Sequence, residues 1–289
     1  MDIVCVSREY MDGGYAVLGS KSVCHRFAIF LKNENLPVKD TVEVITGAKV
    51  PLVKYVDRLT GLKVDISFEN DTGLIANTTF QEWKIKQPAM PMIVTLVKHF
   101  LAMRGLNEPM NGGIGGFSVI CLVQSLLEML PFVGRDEASQ HMIPEHHLGE
   151  VLMEFFDLYG NKFNFITTGI QLKPHAYVSK ADLGNLPYNK KNQNKPAPKI
   201  CIIDPNRSSN DISGGSSNTP TILRAFAEAY RLLQDRMTTL LSAEDREDES
   251  ILSCVLGGNY RSFELQRQHL REVCQELYPE HEIEDWGRL

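Results

Sequence analysis

The sequence predicts an α+β protein, with a small α/β piece first and a mainly helical domain from about residue 85. Three observations predict it. Short runs rich in Val and Ile, punctuated by Gly and Pro, crowd the first seventy residues. Apolar residues then recur at helical spacing through several longer segments. The 289 residues are 43% hydrophobic and 23% charged, as in an ordinary globular chain with room for one large domain or two medium ones.

Residues 2–7 read as a strand, and a helix follows over about 20–32. Residues 42–47, 51–56 and 64–68 read as further strands. In Lys63-Val64-Asp65-Ile66-Ser67-Phe68 the alternation turns Val64, Ile66 and Phe68 to a core and leaves Lys63, Asp65 and Ser67 on the open face. Ile93, Leu96, Val97, Phe100 and Leu101 then form a helical stripe with Lys98 beside it. Residues 117–130 repeat the spacing in a segment apolar nearly all round. A third stripe runs from Leu148 to Tyr159, with Gly160 as its expected stop. Asn218 reads as the N-cap of a fourth helix, and a last helix covers about 263–277. Residues 184–198 look like an exposed basic loop and 243–250 like a charged linker. The expected division is 1–85, 86–240 and 241–289.

A net charge of −6 argues against a strongly basic nucleic-acid module, though not against a local basic cleft. Six scattered cysteines form no ligand cluster, so zinc is not expected, and they suit a reducing compartment. The opening Met1-Asp2-Ile3-Val4 reads as a strand rather than a signal peptide. Residues 117–130 carry Gln124, Ser125 and Glu128, so they read as a buried helix and no membrane is expected.

Three motifs carry candidate chemistry. A carboxylate on an open strand face, such as Asp65, can hold a metal ion. Alone it reads more simply as a solvated residue, and Asp2 alone carries no meaning. Gly112-Gly113-Ile114-Gly115-Gly116-Phe117-Ser118 precedes an apolar helix, where glycines let backbone amides approach a phosphate or base. A tight inter-helix turn explains it as well, and neither P-loop nor Rossmann spacing is matched. Asp204-Pro205-Asn206-Arg207-Ser208-Ser209-Asn210-Asp211-Ile212-Ser213 reads as a surface loop, yet binding residues often sit on such a loop between a strand (200–203) and a helix.

Taken in order, these pieces resemble the noncanonical poly(A) polymerases of the DNA polymerase β-like nucleotidyltransferase superfamily. Leu96-Val97-Lys98-His99-Phe100-Leu101, Phe155-Phe156-Asp157-Leu158-Tyr159-Gly160 and Ala225-Phe226-Ala227 add to the likeness, which covers most of residues 1–240. It is strongest to the nuclear RNA-surveillance branch, the catalytic subunit of TRAMP-type complexes. The resemblance implies a nucleotidyltransferase palm, a mixed sheet with helices, followed by a helical central domain of the PAP-associated kind. It implies two-metal transfer of AMP from ATP to an RNA 3′ end, with Mg2+ (or Mn2+). Asp65 matches the third catalytic aspartate, a metal ligand and base for the RNA hydroxyl. Asp2 matches the second aspartate of a Ser-Asp-x-Asp motif, also a metal ligand, with Met1 at x. Lys98 matches a triphosphate contact, Gly116 lies in the glycine motif, and Phe117 matches a ring that stacks on the base. Asp204, Asn210 and Asp211 fall in the nucleotide-recognition motif, the last two facing the base or its ordered waters. Implied partners are the RNA 3′ end, ATP, a zinc-knuckle RNA-binding protein and an RNA helicase, in the nucleus and nucleolus.

The chain departs from the family where the motif's first aspartate and the upstream Gly-Ser turn would precede Met1. The expectation is an N-terminally truncated chain with impaired activity, begun at an internal Met. A catalytically dead relative acting as an RNA-complex scaffold stays open as the alternative, as does a transferase acting on a small molecule or protein.

Overall fold

The computed structural model describes residues 1–48, 50–130, 144–183, 199–242 and 250–279. The expected basic loop at 184–198 and most of the linker at 243–250 lie outside them. The chain forms two compact units, Met1–Leu74 together with Gly258–Leu289, and Ile75–Gly257.

The first unit is built on a four-stranded mixed sheet. Its strands are β1 (Asp2–Cys5), β2 (Glu43–Ile45), β3 (Leu52–Val56) and β4 (Lys63–Phe68), in the order β1-β4-β3-β2. β1 runs parallel to β4, and the other pairs are antiparallel. A four-residue helix α1 (Arg8–Met11) is capped by Ser7, whose Oγ accepts from the Tyr10 amide at 3.2 Å. Helix α2 (Lys21–Asn33) buries Cys24, Ala28 and Leu31, which stand at i, i+4 and i+7 and so share one face. That face joins Val53, Val64, Ile66 and Phe68 in one core, so only one side of the sheet is covered by α2.

The second unit packs most of α3 (Thr72–Lys86) with α4 (Met90–Ala102), α5 (Gly116–Met129) and α6 (Leu148–Asp157), then two β-ribbons and two further helices. The ribbons are β5 (Thr168–Leu172) with β6 (His175–Ser179), and β7 (Ile203–Asp204) with β8 (Arg207–Asp211). The helices are α7 (Thr219–Ser242) and α8 (Ser253–Leu256). Helix α5 is buried on nearly every side, which is why its sequence lacks a clean polar face. Phe100, Phe155, Phe156, Tyr159 and Phe226 form the aromatic centre, with Phe155 and Phe226 edge to face at 5.3 Å. Among the described residues no helix is long and apolar enough to cross a membrane. A last helix, α9 (Arg261–Leu277), groups with the first unit, where His269 Nε2 lies 2.9 Å from the Leu59 carbonyl.

The α+β expectation is met, and two local readings are corrected. Gly160 does not stop a helix: α6 runs on into a π turn, Leu158–Lys162, that contains it. A Cβ at Gly160 would fall 2.4 Å from the Ala227 amide nitrogen, so glycine is there for close approach to α7. Residues 204–211 are not an open loop but a hairpin, with Pro205-Asn206 as its two-residue turn between the paired Asp204 and Arg207. Asn218 stands directly before α7, where its carbonyl accepts from the Ile222 amide at 3.0 Å and its side-chain amide donates to the Asn111 carbonyl at 2.9 Å.

Candidate active site

On the sheet, the register decides which side chains meet. Asp2 pairs with Asp65, Lys54 with Asp65, and Glu43 with Lys54. Directly paired residues share a face, and the other face holds the α2 core, so these four form one polar row across the open side. Its order is Asp2, Asp65, Lys54, Glu43. The Asp65 amide donates to the Met1 carbonyl at 2.9 Å, which fixes the two carboxylates in step. Lys54 Nζ lies 2.9 Å from Asp65 Oδ2, with both side chains about a third exposed. Two adjacent carboxylates are hard oxygen donors and fit a divalent ion such as Mg2+. Among the described residues no three His, Cys, Asp or Glu side chains gather around one point, so the pair is the donor set on this face.

Glu69, just past β4, was not singled out from sequence. It is buried with φ +46, a left-handed conformation rare outside glycine. Its carboxylate accepts from the Ser7 hydroxyl and from the Leu18 amide at 2.5 Å. Burial pushes the carboxyl up, but the bonds from Ser7, Leu18 and Gly19 together outweigh it and hold the group below the usual range. Glu69 thus ties the segment after β1 to the end of β4. The sequence carries no signal for this beyond an acid that follows a strand.

In the second unit the glycine motif divides by role. Gly112 has φ +79, and a Cβ there would fall 2.4 Å from Ser217 Oγ. A Cβ on Gly113 would fall 2.5 Å from the Leu106 carbonyl oxygen. Both serve the turn itself. Gly116 differs: it is the first residue of α5, and the position of a Cβ there is 3.4 Å from Lys98 Cε and Nζ. The Lys98 ammonium thus lies against the first residue of α5, at a distance where a Cβ would meet it in ordinary van der Waals contact. A lysine beside exposed helix amides makes a positive, anion-accepting surface. The next residue, Phe117, is half-buried and stacks on Trp83, with centroids 6.5 Å apart and planes 4° from parallel.

The hairpin's polar side chains are largely engaged with one another. Asn210 Nδ2 donates to Asp204 Oδ2 at 2.9 Å, and Asp204 Oδ1 accepts the Asn206 amide at 2.8 Å. Asp211 Oδ1 accepts from the Ser213 amide (2.9 Å), the Ser213 hydroxyl (2.6 Å) and the Ile202 amide (3.2 Å). Asn206 Oδ1 accepts from Thr79 of α3 at 2.8 Å, which anchors the turn. This oxygen of Asp211 thus helps to shape the hairpin. Lys180, another residue the sequence did not flag, is buried, and its ammonium donates to the carbonyls of Phe165 (2.6 Å) and Lys199 (2.5 Å). Burial pushes the Cys201 thiol up to about 12, so it is no nucleophile at neutral pH. A cavity of about 970 Å3, lined by Leu96, Leu148, Leu152, Leu233, Met237 and Ile251, takes in none of the expected site residues.

Known proteins share both halves of this arrangement. Residues 1–84 match the central palm domain of the mitochondrial-like poly(A) RNA polymerases, and residues 147–210 match the Cid1 family poly A polymerase model. The mixed sheet followed by this helical domain is the nucleotidyltransferase fold of the poly(A) polymerase class. Poly(A) RNA polymerase protein 2 of Saccharomyces cerevisiae is 36% identical over 92% of this chain and 44% of its own length. Poly(A) RNA polymerase cid14 of Schizosaccharomyces pombe is 34% identical over 89% of this chain and 36% of its own. The solved polymerase core of TRAMP, an RNA surveillance complex, aligns with a TM-score of 0.73 and 35% identity, covering 84% of this chain and 74% of that one. The chain belongs to the noncanonical poly(A) polymerases, in the TRAMP-type branch. It spans less than half the length of these two curated relatives.

Proposed function

We propose that the chain carries the catalytic and nucleotide-recognising parts of an RNA 3′-end nucleotidyltransferase, which adds AMP from ATP to nuclear RNAs bound for processing or exosome decay. The observation behind it is the side-by-side placement of Asp2 and Asp65 on the uncovered face of the sheet. In the reaction the RNA 3′-oxygen joins the α-phosphorus and pyrophosphate leaves. Divalent ions bound by such carboxylates, Mg2+ or Mn2+, supply Lewis-acid activation of the hydroxyl and neutralise phosphate charge. Asp65 orients the attacking hydroxyl and accepts its proton, and Asp2 is the companion ligand. Lys98 with the α5 N-terminus, which begins at Gly116, holds triphosphate oxygens. Phe117, braced by Trp83, supplies a ring for the base. Asn210 and Asp211 face the base or its ordered waters from the hairpin, which the Asn210–Asp204 bond helps to close.

The net charge of −6 supports a shared grip on RNA, with a zinc-knuckle RNA-binding protein and a helicase supplying the rest. A nuclear location follows from the same reading.

Extension of a labelled RNA oligonucleotide with each nucleoside triphosphate and Mg2+ tests the proposal. It is run on these 289 residues and on a form extended upstream with the family's Gly-Ser turn and first aspartate. The extended form should add AMP preferentially and lose it in Asp65→Ala. Equal use of UTP would overturn the adenylate preference, and unchanged turnover in Asp65→Ala would remove Asp65 from the mechanism.

A further inference from the structure

The polar row holds a cation that neither motif nor resemblance assigned. Lys54 Nζ sits 2.9 Å from Asp65 Oδ2, and the register puts Asp2 on the other side of Asp65. Asp65 is therefore flanked by one like charge and one opposite charge on neighbouring strands. Strand spacing of about 4.8 Å sets the scale of both interactions. Without Lys54 the two carboxylates would repel across that gap. With it, the site carries one net negative charge, and Asp65 has a fixed orientation before any metal arrives. Glu43 stands one strand further along the same row, paired in register with Lys54.

We infer that Lys54 is a positioning residue that holds Asp65 in the metal-free site and yields its carboxylate oxygen to the entering divalent ion. The lysine turns toward Glu43 as it leaves, and one bound divalent ion then offsets the two net negative charges of the four-residue row. Lys54 thereby lowers the affinity of the empty site for a divalent ion. Metal would then be held firmly only once a nucleotide contributes its phosphates. This rests on the reading of Asp65 as a metal ligand.

Two measurements on the 289-residue chain test it. The first is Mn2+ titration followed by electron paramagnetic resonance of the free ion. Replacing Lys54 by the uncharged, similarly long Met raises the site's negative charge, so Mn2+ should bind about three- to tenfold more tightly in Lys54→Met. Lys54→Arg keeps the charge and should stay within about twofold of the original chain. The second needs no variant: the Lys54 side-chain 15Nζ resonance should move when diamagnetic Mg2+ saturates the site. Unchanged or weaker Mn2+ binding in a folded Lys54→Met chain would overturn the inference. So would a 15Nζ resonance that ignores Mg2+ while the ion binds, which also decides the matter should Lys54→Met fail to fold. Asp65→Asn separates this from the underlying reading. If it binds Mn2+ as well as the original chain, or the original chain binds none, the metal site itself is misassigned.

Discussion

Gly160→Ala isolates one consequence of the fold. Gly160 lies in the π turn after α6, and an added Cβ would stand 2.4 Å from the Ala227 nitrogen, 2.6 Å from its Cα and 2.9 Å from the Phe226 carbonyl carbon. Carbon and nitrogen normally approach to about 3.5 Å, so the overlap is about 1 Å against backbone, which cannot rotate away. Either the π turn or α7 must shift, and Phe226, at the centre of the aromatic core, shifts with α7. Overpacking of this kind costs about 1–3 kcal/mol, and rigid backbone on both sides puts this site near the upper end. About 3 kcal/mol lowers the melting temperature of a unit of this size by roughly 6–12 °C. Thermal unfolding followed by circular dichroism measures it. A second variant sharpens the test. Ala227→Gly removes a side chain that the clash does not involve, so adding it to Gly160→Ala should give no rescue, and should cost a further ~1 kcal/mol as a mid-helix glycine. A Gly160→Ala chain melting within about 2 °C of the original, or full rescue in the double variant, would refute the backbone-contact explanation.

Three other perturbations follow from the same geometry. Glu69 has a depressed folded-state pKa, so its contribution is present above the unfolded value of about 4.3 and is lost as pH falls through the folded value. The stability gap between the original chain and Glu69→Gln, measured by urea unfolding, should be open at pH 6 and close as the pH drops below about 4. A gap that widens on acidification would reverse the assignment. Lys180→Met strips the donor from two carbonyls that it now bridges, Phe165 and Lys199, and should cost about 2–3 kcal/mol in the same assay. Lys98→Ala should leave the melting temperature unchanged but weaken binding of a nucleoside triphosphate by about tenfold, read by calorimetry. Retained affinity would move the triphosphate away from the α5 N-terminus.

How much was legible from sequence depended on how much of each element's pattern is local. Helices α5 and α7 carry long apolar spacings that no strand could use, and both stand where the periodicity puts them. The ribbon strand Arg207–Asp211 is entirely polar and made of turn-forming residues, so its local chemistry argues for a loop even though pairing makes it a strand. Helix α3 buries only Thr79 and Trp83, too thin a stripe to show against its Thr and Asn residues. Within the site, Asp65 could be placed on an open strand face by alternation alone. Its neighbours could not, because pairing of Asp2 with Asp65 joins positions 63 apart in the chain, and only resemblance made Asp2 meaningful. Lys54 and Glu69 gain their roles from register and from a buried turn, and neither is written in a motif.

Thr79 and Trp83 have a further consequence when taken together. They are four residues apart on α3, one turn along the same ridge, where side chains are spaced by about 5–6 Å. One of them holds the tip of the hairpin and the other braces the ring of Phe117. The helix therefore works as a ruler, setting by its own pitch the separation between the two features expected to grip a base. Substitutions on its other faces leave that spacing alone. A single inserted residue between the two would rotate one contact by about 100° from the other and put both out of reach at once.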